Sequence, residues 1–154
     1  TERTRNNKKP TKTIETNNRV IVEFLISKDY GVKSHKAPNK ILDLIPENLH
    51  YMFFRGLSDG DGCFYISDRE SHYQYSIRSS RSQDWSYVEN IFKLLNISYG
   101  MSIKDKPNSK SSSIRISNKK DVIKFGNYFD ENFEIDHIGL QRKYEKYKQI
   151  KSKL

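Results

Sequence analysis

The sequence contains one cysteine, Cys63, which excludes a disulfide framework and any cysteine-rich zinc site. It has no run of about 18 apolar residues, so no helical membrane span is expected. The opening TERTRNNKKP lacks the apolar core of a secretory leader, and an intracellular protein is the expectation. There is no glycine-rich phosphate loop and no nucleophile pair, which argues against a small-molecule enzyme. Hydrophobic residues make up only 34%, but there are ten Tyr and eight Phe, so much of the core must be aromatic. The length, 154 residues, fits one domain or one domain with an arm.

Charge is plentiful and unevenly spread. Lys and Arg number 28 against 19 Asp and Glu, a net charge of +9. Residues 1–50 hold 10 basic and 6 acidic groups, residues 51–100 hold 5 and 6, and residues 101–154 hold 13 and 7. A basic frame therefore surrounds a locally acidic middle. The frame attracts polyanions and makes their binding salt-dependent. Carboxylates inside it oppose a phosphate unless a cation sits between them.

The pattern of apolar residues sets an order of elements. Residues 1–12 read as a basic arm, and KTIET over 12–16 as a short strand. RVIVEFLISKDYG is helical, with Val20, Phe24 and Leu25 apolar, and ends at Gly31. VKSHKAPNK is a basic loop, and a second helix starts at Ile45-Pro46-Glu47 and stops in DGDG. Period two follows, with CFYISDRES and HYQYSIRSS joined by a turn at 70–72. Residues 85–95 form an amphipathic helix with Val88, Ile91, Phe92 and Leu95 inward. SYGMSIKDK and SSSIRIS make a second hairpin around Pro107-Asn108-Ser109, followed by helices over KKDVIKFGNYF and the basic LQRKYEKYKQIKSKL. The fold class is α+β with a four-stranded antiparallel sheet. Residues 14–19 also echo residues 114–119 at an offset of 100, each leading through an Asn into a helix with Val and Phe. Residues 1–50 would then be an arm and the tail of a preceding repeat, and 51–154 a complete domain.

The chemistry concentrates at FRGLSDGDG, residues 54–62. Gly56 and Gly60 are four apart and share a helix face, where two backbones can approach closely. Asp59 and Asp61 fall at the C-terminal end, where carboxylates are unfavourable with the helix dipole. A divalent cation would relieve that repulsion, and Mg²⁺ takes carboxylate, carbonyl and phosphate oxygens. A calcium loop with Asp59, Asp61 and Glu70 at its first, third and twelfth positions fails, because Cys63 and Phe64 stand where an oxygen ligand and a Gly are needed.

The stretch resembles the LAGLIDADG motif of homing endonucleases. Gly56, Leu57, Asp59, Asp61 and Gly62 match the family pattern, as do the flanks at 45–49 and 63–66, whereas Arg55 and Ser58 depart from it. The αββαββαα order after residue 50 is also similar to that family's. The resemblance implies a site-specific DNA endonuclease that hydrolyses phosphodiesters with Mg²⁺ and leaves short 3′ cohesive ends. Ca²⁺ is expected as a non-productive substitute. Asp61 is the implied metal ligand with the Gly60 carbonyl, and Asp59 a helix-capping or supporting acid. A polar and a basic residue complete such a site, here Gln83 and Lys143, with Arg81 and Gln141 as alternatives. The family also implies a second motif helix, from a homodimer or a partner repeat, against Met52, Phe53, Gly56 and Gly60. An organellar location, or a gene carried by a phage or mobile intron, is implied too. A non-cleaving RNA maturase or DNA-binding regulator on the same fold is the competing function.

Strand alternation assembles one polar sheet face from Tyr65, Ser67 and Arg69, then Gln74, Ser76, Arg78 and Ser80, then Ser102, Lys104 and Lys106, and finally Arg115. With Arg81 beside it, this face suits phosphates and base edges of double-stranded DNA. A nine-residue strand would span about 30 Å. Trp85, Tyr87 and Phe92 read as helix core, Cys63 as a small buried strand residue, and His137 beside Asp136 as a loop histidine.

Overall fold

The computed structural model describes residues 17–29, 36–67, 72–106, 109–130 and 141–153, with the side chains of 105, 106, 109 and 130 excepted. The period-two segments become strands β1 (Gly62–Ile66), β2 (Tyr73–Ser80), β3 (Gly100–Lys106) and β4 (Ser109–Ile116). They form one sheet of order β1-β2-β4-β3, antiparallel throughout. The helices are α1 (Arg19–Ser27), α2 (Asn39–Leu42), α3 (His50–Asp61), α4 (Ser86–Leu94), α5 (Lys119–Asp130) and α6 (Gln141–Lys151). From α3 onward the order is αββαββαα.

One side of the sheet is the core. Tyr75, Ile77, Ile114 and Ile116 meet Val88, Ile91 and Phe92 of α4, Val122 and Phe125 of α5, and Ile150 of α6. Aromatic rings fill the space that scarce aliphatics leave: Tyr75 sits 4.8 Å from both Phe64 and Phe125, and Phe92 meets Phe125 edge-on at 5.0 Å. α4 ends in a paired cap in which Asn96, at φ 48°, donates to Lys93 and Ile97 donates to Phe92, so the left-handed position is filled by Asn.

Several boundaries differ from the sequence expectation. The helix over Ile45-Pro46-Glu47 starts later: Pro46 is extended, Glu47–Leu49 is a 3₁₀ turn, and α3 begins at His50. The His50 ring secures that entry, its Nε2 lying 3.1 Å from the Leu42 carbonyl and 2.9 Å from that of Ile45. The end of the basic loop winds into α2, and α1 ends at Ser27 because Asp29 turns to φ 63°. Met101 and Ile103 occupy core-side register opposite Ile114 and Ser112 but are 54% and 66% exposed, because β3 is an edge strand beyond the helix layer. Cys63 is exposed rather than buried: it pairs with Ser76 and takes the polar face together with Tyr65. The strand at 12–16, Gly31, Glu70, the turn at 107–108, Asp136 and His137 lie outside the described residues.

Packing is close where α3 gives way to β1. A Cβ on Gly62 would stand 2.6 Å from Tyr75 Oη and 2.7 Å from the Ser58 carbonyl. Tyr75 Oη donates to the buried Ser58 Oγ at 3.0 Å, so neither neighbour is loose. Gly62→Ala should therefore destabilise the fold by about 1–3 kcal/mol, as overpacking does. A lower urea midpoint with an unchanged slope is the expected result. A wild-type midpoint would mean that the junction gives way freely.

Candidate functional site

α3 has two contrasting faces. Phe54 and Ser58 are buried, with the Phe54 ring stacked on Tyr87 at 6.3 Å. On the other side Met52, Gly56 and Gly60 follow one another at four-residue spacing and are exposed. Nothing lies within 4 Å of a Cβ placed on Gly56 or Gly60. A backbone could therefore approach this face closely, which fits the glycine spacing. Phe53 is half-buried, with its ring edge-on to Phe54 and Tyr87, and it lines the same cleft as Gly56 and Asp61.

Asp61 is the last residue of α3 and is exposed. It lines a cleft of about 420 Å³ with Gly56, Leu57, Gln83 and Tyr87, closed on one side by Lys28 and Lys36. Gln83 is fixed there. Its Oε1 accepts from Ser79 Oγ at 3.0 Å and its Nε2 donates to the Asp84 carbonyl at 2.9 Å. The structure thus brings Asp61 and Gln83 to one cleft. Arg81 lines a separate groove beside β3 that Gln83 also borders. Gln141 is spent along its own helix, donating to Glu145 at 3.2 Å.

Lys143 reaches the same helix end from the other side. Its Nζ donates to the carbonyls of Ser58 at 2.8 Å and Asp59 at 2.5 Å, and it shares a pocket with Arg55, Asp59 and Tyr144 rather than the Asp61 cleft. A cation there satisfies terminal carbonyls and complements the helix dipole. Burial pulls the Lys143 ammonium below the usual lysine range, as does Arg142, while Asp59 opposes the shift.

Among the described residues no three His, Cys, Asp or Glu side chains cluster to cage a metal. One exposed carboxylate beside a helix end supplies oxygen donors of the kind Mg²⁺ accepts, but only part of a coordination shell. Asp61 and the Gly60 carbonyl fit that partial role.

The polar face of the sheet is continuous. Cross-strand rows pair Tyr65 with Gln74, Ser76 with Arg115, Arg78 with Ser113 and Ser102, and Ser80 with Ser111 and Lys104. Tyr65, Arg78, Lys104 and Arg115 are exposed, and the described side chains of the four strands include no acid. Ser67 sits past β1, its Oγ accepting from the His72 N–H at 3.0 Å. Arg69 and the Lys106 side chain lie outside the described residues. β2 and β4 are eight residues long. They span about 26 Å, slightly less than expected.

Tyr87 is the site residue that pattern reading assigned only to the core. Its one sequence signal is a polar tip on an inward helix position. Burial first, then the charges of Asp61 and Asp84, push its hydroxyl up to about 12. Tyr75 is raised as well, chiefly by burial. Unfolded tyrosine ionises near pH 10. Stability from keeping these phenols neutral is therefore complete below about pH 10 and is lost as pH rises toward 12. Tyr87→Phe should flatten the fall in urea midpoint over that window, and an unchanged slope would show that Tyr87 is not the group responsible.

Residues 54–153 match the family model described as LAGLIDADG endonuclease. Among solved structures, the LAGLIDADG meganuclease I-AabMI bound to uncleaved DNA is similar at a TM-score of 0.50 and 19% identity, covering 66% of this chain and 34% of that one. The homing endonuclease I-TnaI is similar at a TM-score of 0.48 and 16% identity, covering 66% of this chain and 69% of that one. This chain therefore spans about a third of the length of I-AabMI. No curated protein sequence matches it.

Proposed function

The chain belongs to the LAGLIDADG endonuclease family, and on that premise we propose that it cuts double-stranded DNA at a long specific site, using a divalent cation held at Asp61. The observation that carries this is the intact, exposed Asp61 at the end of a helix whose glycine face is open. The Asp61 carboxylate and the Gly60 carbonyl would hold the cation. Mg²⁺ bound there would lower the pKa of a water and stabilise charge at the phosphate. Gln83, fixed by Ser79 and Asp84 in the same cleft, orients a water or phosphate oxygen. Lys143 acts through the helix end: by holding the Ser58 and Asp59 carbonyls it sets where Asp61 points.

The polar sheet face supplies recognition. Arg78 and Arg115 are forked donors that suit guanine edges, and Lys104 is a point charge suited to phosphate. A second motif helix against Gly56 and Gly60 would bring a second acid, a second sheet and a doubled reading length. A homodimer provides it on a near-palindromic site, and a partner repeat on an asymmetric one.

Asp61→Asn keeps the shape and removes the charge. Cleavage of a target duplex in Mg²⁺ should fall about a hundredfold or more, on the scale of losing one group that stabilises developing charge. Binding in Ca²⁺, where the wild type should bind without cutting, should persist. Near wild-type cleavage by the variant would remove Asp61 from the metal site. Binding by the wild type without cutting in Mg²⁺ would favour a maturase or regulator.

A further inference from the structure

The start of α4 is pinned to the sheet and capped. Trp85 Nε1 donates to Ser112 Oγ at 2.9 Å, and that hydroxyl in turn donates to the Ser80 carbonyl at 2.6 Å. Asp84 Oδ1 accepts from the Ser86 N–H at 2.9 Å. Tyr87 follows as the second residue of α4. Its ring lies against two rings of α3, stacked on Phe54 and edge-on to Phe53, each at 6.3 Å. Backbone and ring are both held, so the hydroxyl has a set place.

Nothing in the fold uses that hydroxyl. Tyr87 is only 7% exposed, and Tyr75 and Tyr147 are buried as deeply. Tyr75 donates to Ser58 and Tyr147 to Asn127, whereas among the described residues nothing bonds Tyr87 Oη. A hydroxyl sealed away without a partner is costly. Among the described residues no side-chain oxygen is left in that state. Tyr87 Oη therefore meets solvent, and the space it meets is the Asp61 cleft. It stands near enough to Asp61 for that carboxylate's charge to reach it. Other donors on this wall are taken: Ser79 Oγ donates to Gln83, and Trp85 is spent on Ser112.

The chemistry of the cleft decides what such a donor meets. A phenol is neutral at physiological pH and donates through its O–H. The non-bridging oxygens of a phosphodiester only accept. Negative charge grows on them as the phosphorus is attacked, so a fixed donor there stabilises the transition state more than the ground state.

We propose that Tyr87 is a further catalytic residue of this chain, its hydroxyl donating to one non-bridging oxygen of the phosphate that is cut beside Asp61. This deepens the proposed function and rests on it for the presence of that phosphate. No proton leaves the tyrosine; its part is electrostatic.

The test sets the chain against Tyr87→Phe, which keeps the ring and removes only the hydroxyl. Both are given the target duplex with oxygen, or with sulfur at one or the other non-bridging position of the cut phosphate, since sulfur accepts hydrogen bonds poorly. On the all-oxygen duplex in Mg²⁺ the variant should cut about ten- to a hundredfold more slowly. On the duplex whose sulfur replaces the bonded oxygen, the two proteins should cut at matching rates. The urea midpoint at neutral pH should stay unchanged, because the hydroxyl bonds nothing in the fold. A readout that needs no cutting is a fluorotyrosine at position 87, whose fluorine resonance should shift when the chain binds the duplex in Ca²⁺. Equal cleavage of the oxygen duplex by both proteins would overturn the proposal. So would a loss of the same size on oxygen and on both sulfur duplexes, which would put the hydroxyl on Asp61 instead. A fluorine resonance indifferent to the duplex would overturn it too. A wild type that binds without cutting would contradict the endonuclease function by itself, and the fluorine shift would then still decide whether Tyr87 meets DNA.

Discussion

Everything at the candidate site depends on the close packing of one helix end. α3 stops at Asp61 and the chain must leave at once as β1, through a point where Gly62 has no room for a Cβ. Tyr75 from the sheet and Lys143 from α6 hold that end from two directions, one through Ser58 Oγ and the other through the Ser58 and Asp59 carbonyls. A carboxylate at a helix C-terminus works against the dipole. Here the end is anchored on one side, and the carboxylate is left pointing into an open cleft.

The same packing divides the molecule by task. The helices cover one side of the sheet and use aromatic rings to do so, which lets a sequence poor in aliphatics build a core. Among the described residues the other side is exposed at Arg78, Arg115 and Lys104, which stand in register with serines. Serines between the long basic side chains keep that face low. The Asp61 cleft borders Gly56 on the exposed side of α3.

Much of this was legible in the sequence, for reasons that are local. Period two sorted Gln74, Ser76 and Arg78 from Tyr75 and Ile77 because register alone decides the face. Glycines four apart marked the open side of α3. Cys63 is exposed although cysteines are usually buried, because strand alternation decides the face within a sheet and puts it beside Tyr65. Met101 and Ile103 alternate correctly yet stay wet, since no sequence pattern says that β3 ends up at an edge. The partners of Lys143 lie 84 and 85 residues away, so only the fold reveals them. Tyr87 reads as core and is core; its hydroxyl reaches the influence of Asp61 only through tertiary packing.

The central claim is that an open-faced motif helix ending in Asp61, joined by a second such helix, makes a DNA-cutting site served by the bare sheet face. The most direct measurement is incubation of the native protein with a randomised duplex library in Mg²⁺, followed by sequencing of all new ends. New ends should map to one long motif of roughly twenty base pairs, the reach of two such sheets at about 3.4 Å per base pair. They should be absent in Ca²⁺. Ends scattered without sequence preference, or no new ends from a protein that still binds the library, would contradict it.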